Sequence, residues 1–166
     1  LYVRQAMQHL IDQRQYISTF LDGYGYPTYG PIPLKPANSF VSPEERSNPY
    51  PYNIKTADAL LSDHGWKVVK DGTSYCNNPG TGQSECGAGI DQGAKLSFTM
   101  LYASGSQSLS DMMAALQSSF GRAGIRIALS QAPGGEVIST EFGCDEATGA
   151  GCDWEMADGN VNGFGW

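Results

Sequence analysis

Four cysteines are the residues of this chain whose spacing points most directly to chemistry. Cys76 and Cys86 are 10 residues apart, and Cys144 and Cys152 are 8 residues apart. Each pair encloses a segment rich in Gly, Asn, Ser and Thr, and an even number of cysteines beside such loops is typical of disulfides. A zinc site would favour C-x-x-C spacing with nearby histidines. The pattern therefore favours two local disulfides and an oxidising compartment outside the cytoplasm, with free thiols or metal binding as the alternatives.

Carboxylates are concentrated near the end of the chain, where two of them could act as the acid and the nucleophile of a hydrolase. They are Glu136, Glu141, Asp145, Glu146, Asp153, Glu155 and Asp158. Spacing alone does not define such a pair, and a solvated acidic surface is the other interpretation. The sequence contains no G-x-S-x-G, H-E-x-x-H or P-loop motif, and both histidines fall within helical patterns. The motifs therefore favour binding over catalysis, and we expect neither a metal nor a cofactor.

Composition restricts the class of partner. The net charge is −7, and the ten basic residues are scattered along the sequence. Clustered Lys and Arg drive binding to phosphates, so we expect no nucleic-acid partner. No run of about 18 apolar residues is present, so no segment is expected to span a membrane. A length of 166 residues fits one folded domain.

Residues 95–129 give the clearest structural signal. Apolar residues alternate from Leu96 to Tyr102, recur at helical spacing over 109–123, and alternate again from Ile125 to Leu129. This order predicts two parallel strands joined by a right-handed helical crossover. A helix over 133–142 and a strand near 154–157 should follow.

The first half of the chain predicts helices and one long loop. The helix that starts near Val3 should restart at Asp12, and another should begin after Asn53, since both residues are good N-caps. Residues 66–76 have the pattern of a small hairpin. Residues 22–52 contain most of the prolines and five tyrosines. This loop either packs onto the domain or contacts a ligand.

Five segments, in order, resemble the family 5 extracellular solute-binding proteins, which bind oligopeptides, dipeptides or nickel for ABC importers. The segments are Val3-Arg4-Gln5-Ala6, Gly25–Pro33, Pro49–Trp66, Leu96–Tyr102 and Ala123-Gly124-Ile125. Several features depart from the family pattern, among them Pro133-Gly134-Gly135 at the start of the short helix and the loosely matching residues 157–166. Gln13 occupies a position where Arg or Lys is usual, and both cysteine loops are insertions.

The resemblance implies an α/β fold, namely one lobe of a type II periplasmic-binding-protein fold with a mixed sheet, a βαβ unit and flanking helices. Residues 1–166 would form this single lobe of a longer, two-lobed protein. It would capture a solute, most simply a peptide, without covalent chemistry and deliver it to an ABC permease. The full-length protein would be extracellular or cell-surface and lipid-anchored. A secreted hydrolase and a disulfide-stapled interaction module are the alternatives.

The resemblance also implies five ligand-binding residues. Ser106 and Ser108 would contact the solute from the loop before the helix predicted over 109–123. Ile138 and Glu141 would contribute from the short helix that follows, and Trp166 would lie at the rim of the cleft. We expect Ser106, Ser108, Glu141 and Trp166 to share one open face. Ordinary capping, core or surface roles are the alternative for each.

The first prediction concerns the cysteines. Peptide mapping of unreduced protein should find Cys76 linked to Cys86 and Cys144 linked to Cys152, because each pair closes a short loop. A link between Cys76 and Cys144, or four free thiols in protein made under oxidising conditions, would refute the pairing.

Overall fold

Three parallel strands form the centre of the computed structural model, which describes residues 1–145 and 148–158. In chain order the elements are α1 (Tyr2–Gln8), α2 (Gln13–Phe20), a 3-10 turn (Glu44–Arg46), α3 (Ile54–Asp63), β1 (Trp66–Lys67), β2 (Tyr75–Cys76), β3 (Ser97–Ala103), α4 (Gln107–Gly121), β4 (Arg126–Ala132), α5 (Gly134–Gly143) and β5 (Met156–Asp158). The predicted βαβ unit is therefore present. The restart at Asp12 and the N-cap at Asn53 are also confirmed, since both side chains accept a backbone hydrogen bond in the first helical turn.

The main sheet has the strand order β4-β3-β5. Its strands are parallel, with Ser97 opposite Arg126 at the start of β3 and Tyr102 opposite Asp158 near its end. Antiparallel pairing occurs in the separate β1–β2 hairpin. The predicted α/β lobe is confirmed. Parallel and antiparallel pairing were expected within one mixed sheet, but each kind occurs in a sheet of its own.

Alternating side chains of β3 cover both faces of this sheet. Met100 and Tyr102 belong to the main core cluster together with Phe120 of α4. Leu101 and Ala103 are buried outside that cluster, on the opposite face, where α5 packs against β3 and β5. The helices α4 and α5 therefore lie on opposite faces. Right-handed crossovers require this arrangement, because one crossover moves from β3 to β4 and the other returns past β3 to β5.

Helix α2 packs antiparallel to α4, as two hydrogen bonds at opposite ends of the pair show. Ser119, near the end of α4, donates to the carbonyl of Leu10, just before α2. Ser108, in the first turn of α4, donates to the carbonyl of Phe20, the last residue of α2, at 3.0 Å. The end of α2 is thus beside the start of α4.

Both predicted disulfides are formed. Cys76 and Cys86 are 0% and 1% exposed and belong to the main core. Tyr2 donates to the carbonyl of Cys86 and accepts a hydrogen bond from the indole of Trp66 at 2.6 Å. The loop between Cys76 and Cys86 is therefore attached to the start of α1 as well as closed on itself, and a short closed loop of this kind contributes on the order of 3 kcal/mol.

Ser74, which is fully buried, joins the β1–β2 hairpin to the segment between α4 and β4. Its backbone N–H donates to the carbonyl of Gly124 at 2.7 Å, and its hydroxyl donates to the carbonyl of Ala123 at 3.2 Å. Gly124 has a φ of +70°, and a Cβ there would overlap the Ser74 hydroxyl and the carbonyl oxygen of Val69. Only glycine satisfies both conditions.

The second prediction tests this junction. Gly124→Ala should lower the free energy of unfolding by about 3 kcal/mol, because backbone strain and steric overlap act together. Gly89→Ala is the matched control: its φ is +73°, but nothing lies within 4 Å of the added carbon. Strain alone should cost it about 1 kcal/mol. Equal losses for the two variants in urea denaturation would contradict the role given to the Ser74 contact.

Candidate functional site

The carboxyl edge of the parallel sheet is the candidate site. There β3 ends at Ala103, β4 at Ala132 and β5 at Asp158. The N–H of Ser104 donates to the carbonyl of Ala132 at 2.8 Å, which extends the pairing of β3 with β4 to the edge. The chain leaves β3 toward β4 on one side and returns to β5 on the other. In open α/β sheets, ligands bind beyond the carboxyl ends of strands at such a reversal.

The loop between β3 and α4 presents backbone groups at this edge. Gly105 has a φ of +99°, with open space where a side chain would be. Ser106 is the N-cap of α4, and its hydroxyl accepts the N–H of Leu109 at 3.3 Å. The first N–H groups of a helix lack partners within the helix and carry a partial positive charge. The edge can therefore receive a carboxylate or carbonyl oxygen from a ligand.

The hydroxyl of Ser108 is turned away from this opening. It donates to Phe20 and so joins α4 to α2. Nearby, the side-chain amide of Gln131, near the end of β4, donates to the hydroxyl of Ser110 at 2.8 Å. These two hydrogen bonds hold the first turn of α4 against its neighbours on both sides.

The predicted site residues do not come together on one face. Ser106 and Ser108 begin α4, whereas Ile138 and Glu141 lie on α5, across the sheet. Helix α5 starts at the carboxyl edge and runs away from it, so that Glu141 is about 10 Å along the helix from its start. Ile138 and Glu141 are both half-buried. Their roles in ligand binding, and that of Ser106 and Ser108, stay predictions, and Trp166 lies outside the described residues.

Gln13 has a role that sequence reasoning missed. Its side-chain amide donates to the carbonyl of Thr28 at 2.8 Å and accepts the N–H of Thr28 at 3.0 Å. This paired contact fixes the tyrosine-rich loop to α2. The only signal in the sequence was an amide where the family usually has Arg or Lys, since a cation could not both donate to the carbonyl and accept from the N–H of one residue.

Two grooves lie beside this contact, with volumes of about 460 and 400 Å³. Both are lined by Ile11, Gln13, Tyr29 and Asn48. They adjoin the start of α2, which is the end of that helix far from the carboxyl edge. Size alone does not outweigh the strand topology, so the carboxyl edge remains the candidate site.

A cluster of polar side chains, formed by Tyr16, Tyr52 and Arg122, packs between α2 and α4. Burial, together with nearby Tyr52, raises the pKa of Tyr16 to about 12. The guanidinium of Arg122, which opposes this shift, approaches the hydroxyl of Tyr52 at 3.4 Å. The phenol of Tyr16 therefore stays neutral at physiological pH, and its contribution there is one of packing.

Residues 2–160 match the family model described as "Bacterial extracellular solute-binding proteins, family 5 Middle". The chain belongs to this family. Family 5 comprises binding proteins, and the homologues of the chain are substrate-binding proteins rather than enzymes. The prediction that the chain is not an enzyme is therefore confirmed. Among the described residues, no helix is both long enough and apolar enough to cross a membrane.

Individual relatives support the same assignment. The chain is 30% identical over 125 residues to Protein XP55 of Streptomyces lividans, which covers 75% of this chain and 19% of that protein. The oligopeptide-binding protein AppA of Bacillus subtilis, solved with a nonapeptide, is 25% identical with a TM-score of 0.60, covering 84% of this chain and 24% of AppA.

Two further structures share the fold. Lactococcal OppA, solved with an endogenous peptide in the closed conformation, has a TM-score of 0.67 at 18% identity, covering 94% of this chain and 26% of OppA. NikZ of Campylobacter jejuni, solved with Ni(L-His), has a TM-score of 0.61 at 24% identity, covering 85% of this chain and 24% of NikZ. The chain thus spans about a fifth to a quarter of the length of these relatives.

The third prediction separates capping from ligand binding at Ser106. Ser106→Ala should lower the free energy of unfolding by about 1 kcal/mol because the N-cap is lost, and Ser106→Asp should restore it. If Ser106 also contacts a ligand, Ser106→Ala should lower the affinity for a carboxylate-bearing solute, and Ser106→Asp should not restore it. The aspartate carboxylate would repel the carboxylate of the solute. Recovery of both stability and affinity in Ser106→Asp would limit Ser106 to capping.

Proposed function

We propose that this chain is part of a binding protein that captures an extracellular peptide at the carboxyl edge of its sheet and delivers it to an ABC importer. The observation that carries the proposal is the edge itself. The open Gly105 loop and the capped start of α4 lie where the strand order reverses, with the ends of three parallel strands beside them.

The chemistry of this edge suits a peptide. A peptide backbone offers carbonyl and terminal carboxylate oxygens, which accept hydrogen bonds from the free N–H groups at the start of α4. The exposed side chains around these groups include Ser106, Gln107 and Gln131, which are polar and uncharged. Such groups bind a polar backbone without requiring one particular side chain. The AppA and OppA structures, both solved with peptides, support the same class of solute.

A metal chelate is the second candidate class, because NikZ was solved with Ni(L-His). A chelate of this kind also carries carboxylates that the start of α4 could receive. The peptide is the simpler candidate, because the exposed hydroxyl and amide groups match a neutral, extended backbone. The second lobe that would close over the solute, the permease and the lipid anchor are further parts of this proposal.

The fourth prediction tests the class of solute. Calorimetry on the full-length protein, with peptides removed by denaturation and refolding, should show saturable binding of a synthetic pentapeptide. Nickel–histidine and the neutral oligosaccharide stachyose, which represents a third class of solute, should give no saturable heat when offered at equal concentration. Binding of nickel–histidine or stachyose in preference to the pentapeptide would replace the proposed class of solute, and binding of none of the three would refute the proposal as stated.

A further inference from the structure

The turn that follows α2 holds aromatic side chains in solvent. Tyr24 is 87% exposed and Tyr26 is 73% exposed. The backbone beneath them is closely bonded. Gly23 donates to the carbonyl of Ile17 at 3.0 Å, and Tyr24 donates to the carbonyl of Leu21 at 2.7 Å. The ring of Tyr24 is therefore held outward by an ordered turn.

This turn lies beside the candidate site. Tyr24 follows Phe20 by four residues, and the carbonyl of Phe20 accepts a hydrogen bond from the hydroxyl of Ser108 in the first turn of α4. Ser106, the N-cap, is at the same end of that helix. The antiparallel packing of α2 against α4 thus brings Tyr24 to the carboxyl edge, although it precedes the edge residues by some eighty positions in the sequence.

An exposed aromatic ring complements the polar groups of this edge. Tyrosine supplies a large, rigid contact surface at a small loss of conformational entropy, which is why it is favoured in binding surfaces. The free N–H groups at the start of α4 suit the polar backbone of a peptide rather than its apolar side chains. Of the two tyrosines in this turn, Tyr24 is the more exposed and the nearer in sequence to Phe20, whose contact with Ser108 brings the turn to this end of α4.

We propose that Tyr24 is a specificity-determining residue, which contacts an aromatic or apolar side chain of the peptide bound at the carboxyl edge. The inference rests on the proposed function, because it assumes that a peptide binds there. It assigns selection among peptides to the turn after α2, while the start of α4 binds the backbone that all peptides share.

The fifth prediction uses the full-length protein and two probes, penta-alanine and the pentapeptide Ala-Ala-Phe-Ala-Ala. Tyr24→Ala should raise the Kd for the Phe-containing peptide about tenfold and that for penta-alanine less than about twofold, because only the former offers a ring to the tyrosine. Tyr24→Phe should keep both values within about twofold of the wild type, since it retains the ring.

The control variant is Phe142→Ala. Phe142 is 86% exposed, but it lies near the end of α5, on the amino side of the sheet. Both Kd values should be unchanged in this variant. Unchanged Kd values in Tyr24→Ala, or an equal increase for both peptides, would overturn the inference while leaving the proposed function intact. If the wild type binds neither peptide, the proposed function fails first, and the inference fails with it.

Discussion

The parallel pairing of β3 with β4 on one side and β5 on the other is the constraint on which the rest of the structure depends. Each crossover must be right-handed, so the two helices between these strands lie on opposite faces of the sheet. All three strands end at one edge, where their connections emerge together. Helix α4 starts at this edge and places its free N–H groups there, and α2 packs antiparallel to α4, bringing the turn with Tyr24 to the same edge.

The parts of the fold that could be predicted from the sequence are those set by neighbouring residues. The alternation from Leu96 to Tyr102 and the helical spacing after it specify β3 and α4, and both disulfides close short loops. Asp12 and Asn53 cap helices through residues only three positions ahead. Even so, α4 begins at Gln107, before the first apolar residue of its pattern, because Ser106 rather than Leu109 determines where it starts.

The candidate site was harder to predict because it depends on contacts between distant residues. The resemblance led us to expect Ser108 and Glu141 on one open face, whereas they lie on helices that cover opposite faces of the sheet. The hydrogen bond from Ser108 to Phe20 joins residues 88 positions apart, and no local pattern indicates it. The same holds for Gln13 and Thr28, whose pairing only the folded loop brings about. Local sequence patterns therefore predicted the carboxyl edge of the sheet, whereas the side chains that meet there could be identified only from the structure.

Several stabilising contacts lie at the other edge of the sheet, where the strands begin. Ser74 bonds to Gly124, just before β4, and accepts the N–H of Leu96, just before β3, at its carbonyl oxygen. Cys152 precedes β5, and its partner Cys144 follows the far end of α5. The Cys144–Cys152 disulfide and the buried Ser74 junction therefore hold the amino ends of the strands. The carboxyl edge has neither of these contacts, and its residues include exposed glycine, serine and tyrosine. Its side chains can change to suit another solute without breaking the contacts that hold the three strands together.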